Sequence, residues 1–333
     1  MCYMLLITGG AGYIGSHAVI NFLEAGYDIL IFDNLETGHI ETINTLKSIG
    51  NVKFEMGDLK SISDIERIFC EYNRIDGVIH FAAYALVEES VKNPAKYYEN
   101  NVVGTLNLLN TMIKHDVKRI VFSSTCAIYG EPLYTPIDEK HTQNPINPYG
   151  TSKLMIEKIM DDYDKAYGLK SIKLRYFNVI GADSKCRVGE WHDIETHLVP
   201  NILKSALYES KEFKIYGDDY NTKDGTCIRD YTNVEDLAYA HRLAYQYLLK
   251  ENKSDVFNLG TQHGSTVKEI FETCQEIINK KINYKIENKR PGDPIMLYAD
   301  TLKARQVLNW MPKQTLKHSI KTSYKWEEKN GQI

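Results

Sequence analysis

The chain has 333 residues, 43% hydrophobic and 25% charged, enough for one large domain or two intimate ones around a sizeable core. Forty Lys and Arg against 44 Asp and Glu give a formal net charge of −4, which argues against general nucleic-acid or membrane-surface binding, so any phosphate site must be local. No apolar run reaches the ~18 residues of a membrane span, and the start, Met1-Cys2-Tyr3-Met4-Leu5-Leu6-Ile7, lacks the basic segment of an export signal.

That start reads as a buried first strand. Short apolar runs predict strands at 4–8, 29–33, 52–56, 77–81, 119–123 and 172–175. The first five are nearly continuous apolar stretches, as strands buried on both faces are. Helical patterns fill the gaps. One opens in a glycine loop, and another at the capping box Ser63-Asp64-Ile65-Glu66. A third opens at Asn93-Pro94, a cap followed by proline at the first helical position, and a long fourth follows Tyr149. The fold class is therefore α/β, a Rossmann-type doubly wound parallel sheet.

After Arg175 the regularity fades. Residues 181–195 and 217–230 read as loops, with short strands at 213–215, 256–259 and 282–286. Helices are predicted over 197–209, 234–250 and 266–279, the last opening with the box Thr266-Val267-Lys268-Glu269. There is no internal repeat or flexible linker. The expected division is a cofactor-binding domain over 1–176 with a returning segment at about 232–260. A smaller C-terminal α/β substrate lobe over 177–231 and 261–333 closes over the sheet.

The run Thr8-Gly9-Gly10-Ala11-Gly12-Tyr13-Ile14-Gly15 follows the first strand and opens a helix. Gly9, Gly12 and Gly15 satisfy one dinucleotide spacing, and Gly10, Gly12 and Gly15 satisfy the other. Glycines there allow a tight turn and let the backbone approach a pyrophosphate at the helix N-terminus. Asp33 ends the second strand, 18 residues after Gly15. An acid at that point accepts hydrogen bonds from the adenosine ribose and repels a 2′-phosphate, favouring NAD over NADP. The competing reading of Asp33 is a turn residue before Asn34. Asp58, after the third strand, either lies near an adenine or caps a helix. Phe81-Ala82-Ala83 ends the fourth strand with small residues, which suit a passing cofactor or simple helix–sheet packing.

Tyr149 and Lys153 are four residues apart on a helix, on one face and one turn apart. A free tyrosine has a pKa near ~10. A neighbouring lysine cation favours the phenolate, which can then take a proton from an alcohol. Ser123-Ser124-Thr125 lies upstream and offers hydroxyls beside the pair.

With the glycine loop, Asp33, Thr125 and the Tyr149/Lys153 pair, the chain resembles the extended short-chain dehydrogenase/reductases. Further runs narrow the likeness: 97–102, Leu174-Arg175-Tyr176-Phe177-Asn178, 195–200, Asp224-Gly225-Thr226 with Arg229-Asp230-Tyr231, and Arg290-Pro291-Gly292-Asp293-Pro294. Over essentially its whole length the chain is similar to the UDP-glucose 4-epimerase family. The resemblance implies reversible oxidation at C4 of a UDP-hexose. Tyr149 would act as base and acid. Lys153, with the positive nicotinamide ring, would hold its pKa down, and Thr125 would bond O4. It implies a tightly held NAD, regenerated each cycle. Gly9, Gly12, Tyr13, Ile14 and Gly15 would contact it, with Asp33, Asn34, Leu35, Thr37 and Gly38. So would Asp58, Leu59, Phe81, Ala82, Ala83, Asn100 and Phe177. Asn178, His197, Leu198, Arg229, Arg290, Asp293 and Leu297 would face the UDP-sugar. Taken alone, Arg229 and Arg290 read better as surface ion-pair partners, Arg229 with Asp230 for example. The partners expected are UDP-galactose and UDP-glucose, with no nucleic acid and no membrane. A cytoplasmic homodimer through the helices near Asn93 and Tyr149 completes the picture.

Three departures bear on activity. Many relatives have serine where Thr125 stands, and some have a lysine at Ala85. Leu297 is intermediate between a bulky residue that excludes an N-acetyl group and a small one that admits it, so UDP-N-acetylhexosamines stay open as substrates. A sugar-nucleotide 4,6-dehydratase would need an Asp-Glu pair directly after Thr125, where this chain has Cys126-Ala127, and a decarboxylase would need a glutamate in the same strip. A non-catalytic NAD-sensing protein would have lost the tyrosine or the lysine. The six cysteines form no C-x-x-C pair, as in a reducing cytoplasm. His192 and His197 are five apart, off the spacing of helical zinc ligands, and no metal is expected.

Overall fold

In the computed structural model, residues 4–72, 74–208, 212–289 and 294–330 are described. The predicted runs fall on β1 (Met4–Thr8), β2 (Asp28–Asp33), β3 (Val52–Met56), β4 (Ile75–His80), β5 (Arg119–Thr125) and β6 (Lys170–Tyr176). With Asp255–Leu259 they form one parallel sheet, in the order Asp255–Leu259, β6, β5, β4, β1, β2, β3. For β1, β2, β4 and β5 the near-continuous apolar runs have the expected cause, because both faces of the sheet are covered there; β3 departs from it, since as the edge strand it leaves Lys53 and Met56 exposed. Leu5, Ile7, Ile29 and Ile31 point into one core with Val19, Phe22, Leu237 and Tyr245. Leu6, Leu30 and Phe32 point into the other with Ile65, Ile68, Leu108 and Met112. The strand order departs in opposite directions from β1 and β4, so a crevice lies at the carboxyl ends of that pair.

Several local expectations shift. The helix placed at Ser63 begins at Ile62 and is capped by Ser61, whose hydroxyl accepts from the Asp64 amide at 3.3 Å. The Asp64 carboxylate instead accepts from the Asp58 amide, which ties the end of β3 to this helix. Asn93 caps Pro94–Tyr97 as predicted, but the chain then widens into a π-helical turn over Tyr98–Val103 before Gly104–Lys114. The helices Ile40–Ile49, Val87–Lys92, Leu302–Leu308 and Leu316–Asn330 were not anticipated in the sequence reading.

A second, smaller core joins Leu198–Tyr208, Val267–Ile278 and Leu316–Asn330 to the parallel pair Phe213–Tyr216 and Tyr284–Glu287, around residues such as Leu203, Phe213, Phe271 and Ile320. The box at Thr266 and Glu269 forms both reciprocal bonds. The return to the sheet at 232–260 is also seen: Val234–Glu251 packs on the helix Tyr13–Glu24 and leads to the strand that pairs with β6. The expected assignment of 261–333 to the lobe needs one correction. Ala304, Leu308 and Trp310 pack in the sheet's own core, and Trp310 Nε1 donates to the Asp236 carbonyl at 2.9 Å.

Beneath the crevice, Glu157 and Arg175 form a fully buried bidentate pair. Glu157 also accepts from Ser124, and Arg175 donates to Tyr129. Removing one partner strands a buried charge. Glu157→Ala should therefore cost about 3–5 kcal/mol in urea unfolding, and changing both residues to methionine should recover most of that loss.

Candidate active site

The crevice is lined by the glycine loop, the ends of β2, β3 and β4, and the Tyr149/Lys153 helix. Gly9 has φ +72°, and a Cβ on it would stand 2.6 Å from the Ala82 amide nitrogen. A Cβ on Gly15 would stand 2.1 Å from the Gly9 carbonyl. Both glycines are demanded by backbone packing. Gly12 is different. The nearest atom to a Cβ there is the Gly9 oxygen at 3.5 Å, so the protein's own packing does not require it. Gly12 caps Tyr13–Glu24 without a side-chain hydrogen bond, and the first turn holds no acid. The cradle therefore presents a bare helix N-terminus to the crevice, the arrangement that suits a diphosphate.

Asp33 fixes this loop. Its buried carboxylate accepts from the Ala11 amide at 3.0 Å and the Leu35 amide at 2.9 Å, and burial pushes its pKa up against those bonds. Leu35 takes φ 57° to make the turn. A Cβ on Gly38 would stand 2.6 Å from Ala11 Cβ, so Leu35 and Gly38 shape the loop from behind rather than line the crevice. Asn34 donates to Asp58 at 3.3 Å, and Asp58 lines the crevice and orders a turn, accepting from the Lys60 amide, while the helix cap is Ser61.

Tyr149 enters on the first turn of Pro148–Tyr167, capped by Asn147 with proline next. A Cβ on Gly150 would meet the Ala127 carbonyl at 2.4 Å, so glycine there lets the helix close on the end of β5. This brings Tyr149 close enough to Thr125 for the threonine hydroxyl to pull the phenol's pKa down. The expected depression of the Tyr149 pKa is not what the protein alone produces. Burial pushes the phenol up to about 12, and Thr125 pulls only partly against it. Lys153 donates to the Ser123 carbonyl at 2.8 Å, with its ammonium 6.0 Å from the Tyr149 ring centre. Burial brings Lys153 down to about 7, and the Glu157 carboxylate opposes that fall.

The π-helical turn places Asn100 in the crevice, while its neighbour Asn101 turns inward. Asn101 bonds both backbone groups of Tyr84 and reaches Ser152 on the Tyr149 helix at 3.2 Å. The crevice thus collects Tyr13, Ile14, Thr37, Leu59, Phe81, Ala82 and Ala83 with the residues above. It also holds Phe32, Glu36, Tyr84, Tyr176 and His192; Tyr176 lies in the run 174–178 and His192 reads in the sequence only as a candidate metal ligand, whereas Phe32, Glu36 and Tyr84 belong to no spaced signature.

The expected substrate residues lie on the lobe side. Phe177 is buried beside Ile128, Tyr129 and Ala299, with Cys126 and Leu297 at the edge of the same cluster. Asn178 and Arg229 sit on short strands flanking Asp230. Asp230 is no surface ion-pair partner: it is buried and accepts from Thr261 and from the Ala299 amide. Leu198 opens its helix and packs on the lobe core. Arg290 and Asp293 lie outside the described residues.

The segment 181–195 crosses from the sheet to the lobe over the crevice. Tyr13 donates to the Gly181 carbonyl at 2.6 Å, and the His39 and Trp191 rings stack at 3.9 Å. Trp326 Nε1 donates to the Glu190 carbonyl at 2.8 Å. His192 and His197, treated as unrelated in the sequence, meet here with Glu190 and Glu195. His197 bonds Glu190 directly, and although burial disfavours its charge, Glu190 and Glu195 raise it to about 9.

A family model described as GDP-mannose 4,6 dehydratase matches residues 6–323. A UDP-glucose 4-epimerase of Lactobacillus helveticus is 50% identical over 325 residues, 97% of each chain. The crystal structure of a UDP-glucose 4-epimerase from Bifidobacterium longum in complex with NAD+ and UDP is 40% identical, with TM-score 0.93 over 98% of this chain and 99% of that one. The UDP-Glc/GlcNAc 4-epimerase of Campylobacter jejuni is also 40% identical, with TM-score 0.87 over 98% and 99%.

Lys153 carries a sign that can be checked. A lysine lowered to about 7 from 10.5 binds fewer protons folded than unfolded between those values, so its contribution to stability rises with pH across that window. Lys153→Met should melt above the wild type at or below pH 7, and calorimetry should find the margin shrinking as pH approaches 10.5.

Proposed function

This chain belongs to the UDP-glucose 4-epimerase family, and from that premise we propose that Tyr149, Lys153 and Thr125 carry its chemistry. The enzyme is an isomerase that interconverts UDP-galactose and UDP-glucose with NAD as cofactor. The crevice fits that group: Gly12 leaves open the space a side chain would fill, the helix N-terminus is uncapped, and Asp33 ends β2. NAD held there would supply the acceptor, and then the donor, for a hydride at C4 of the sugar.

Tyr149 removes and restores the O4 proton, and Thr125, whose hydroxyl lowers the Tyr149 pKa, orients the same oxygen. The observation that carries this reading is that Tyr149 and Lys153 line the same crevice as the glycine loop and the end of β2. Lys153 and Tyr149 act as a unit. With the phenol held up near 12 and the ammonium held down near 7, proton loss from Tyr149 is favoured only while Lys153 keeps its charge. Glu157 favours that charge from below. The hexose must present both faces, so the nucleotide supplies the anchorage. We assign this to the lobe, through Asn178, His197, Leu198 and Arg229, with Arg290 and Asp293 completing the set. Arginine suits a diphosphate because its planar fork makes paired bonds.

The matching family model bears a dehydratase's name, but the positions after Thr125 are Cys126, whose buried thiol is pushed up to about 12, and Ala127. Neither supplies the acid and base that water elimination needs. A second reading concerns the sugar. Leu297 is half-buried at the edge of the Phe177 cluster, and the Campylobacter neighbour is named for both UDP-Glc and GlcNAc. We assign UDP-N-acetylhexosamines as secondary substrates. We also propose a homodimer through the exposed apolar residues Val91, Val103 and Met155. Among the described residues no helix is long and apolar enough to cross a membrane, and we place the reaction in the cytoplasm, where Cys70, Cys126 and Cys186 stay reduced.

Protein purified without added nucleotide should convert UDP-galactose to UDP-glucose with no NAD supplied, and a strict need for a second redox substrate would overturn the assignment. Tyr149→Phe should stay folded by circular dichroism and lose several orders of magnitude in kcat, whereas near-normal turnover would remove Tyr149 from the mechanism. Leu297→Tyr should abolish activity on UDP-N-acetylgalactosamine and spare UDP-galactose.

A further inference from the structure

We propose that Glu190, His192, Glu195 and His197 form a structural binding site for a divalent first-row transition ion, zinc by preference. One ligand atom from each residue lies within 4.8 Å of all the others. Zinc bonds of ~2.0–2.1 Å in a tetrahedron put ligand atoms about 3.4 Å apart, so modest side-chain motion closes the site. The donors are two imidazole nitrogens and two carboxylate oxygens, a set that suits zinc over calcium or magnesium.

The second observation is an orphaned atom. Glu195 Oε2 is buried and makes no hydrogen bond. Its nearest cationic neighbours, His192 Nδ1 and Lys204 Nζ, both stand at 3.7 Å. The side chains of Glu190 and Glu195 are only 5% and 6% exposed, so two carboxylates are withdrawn from water beside two imidazoles. A buried carboxylate oxygen that makes no hydrogen bond and has its counter-charges only at 3.7 Å is incompletely satisfied, and a cation bound directly between the four groups completes it.

The scaffold around the cluster is fixed from three sides. Trp326 holds the Glu190 carbonyl, and Gly189 packs so tightly on Trp326 that a Cβ would stand 2.4 Å from the indole. The amides of Thr196 and His197 both donate to Glu195 Oε1, leaving Oε2 for the ion. His39 stacks on Trp191. Binding displaces the proton between His197 Nδ1 and Glu190. Coordination through Nδ1 leaves His197 Nε2 for the crevice, so the site is compatible with the reaction assigned above but does not rest on it. Four protein ligands leave no open position, and the ion's work is to pin the crossing segment to the helix Leu198–Tyr208.

A rival cluster, Glu66, Cys70 and His115, is separable by test, because its carboxylate is engaged by Lys114 and His115. Chelator-treated full-length enzyme titrated with zinc should take up one equivalent by calorimetry and melt higher with it. Glu195→Gln and His192→Ala, each first shown by its metal-free melt to be folded, should lower zinc affinity at least about 10-fold, and Cys70→Ser should leave it unchanged. Cobalt(II) in the wild-type chain should give the visible bands of a tetrahedral nitrogen–oxygen site. Failure to bind one equivalent, equal affinity in folded Glu195→Gln and His192→Ala variants, loss of binding in Cys70→Ser, or a thiolate-to-cobalt charge-transfer band would each overturn the proposal.

Discussion

The contact on which this molecule depends is the approach of the Gly9 backbone to the backbone of Ala82, so close that a Cβ would lie 2.6 Å from the Ala82 nitrogen. It seats the loop after β1 directly on the end of β4. Both the Phe81 and Ala82 amides donate to the Thr8 carbonyl, so the two strand ends are one unit. From that seat the first helix must leave at a fixed angle, with Gly15 packed on Gly9. Asp33 adds the third strand end through the Ala11 amide. Three adjacent strands thus converge on a single loop, and the crevice is preformed by backbone geometry that almost no side chain could adopt.

The Tyr149 helix answers to a different constraint. Lys153, Glu157 and Arg175 place three ionisable groups in the interior, each tied to β5 or β6. Such groups stabilise poorly, since desolvation offsets much of their attraction. Apolar residues would pack as well. The widened turn at Tyr98–Val103 is a comparable concession, exchanging regular helix for the outward Asn100 and the inward Asn101.

The parts legible in the sequence share one property: each is local. The glycine loop, the apolar runs and the cap at Asn93 depend on residues a few positions apart, so spacing reveals them. The tyrosine–lysine pair was legible as an adjacency, but its electrostatics were not. Burial is a property of the whole fold, and it raised the phenol where the neighbouring charge alone predicted a fall. The helix start at Ser61 was missed because the Asp64 carboxylate turns to the Asp58 amide, a contact across elements. Trp310 joined the sheet core for the same kind of reason. His192 and His197 gave no periodic signal because a loop, not a helix, brings them together.

The crossing segment has a kinetic meaning. Tyr13 holds Gly181, Arg187 bridges Asp183 and Glu24, His39 stacks on Trp191 and Trp326 holds Glu190. Opening the segment therefore requires several contacts to part together, a local unfolding event, which slows exchange of anything held beneath it relative to a segment tied at a single point.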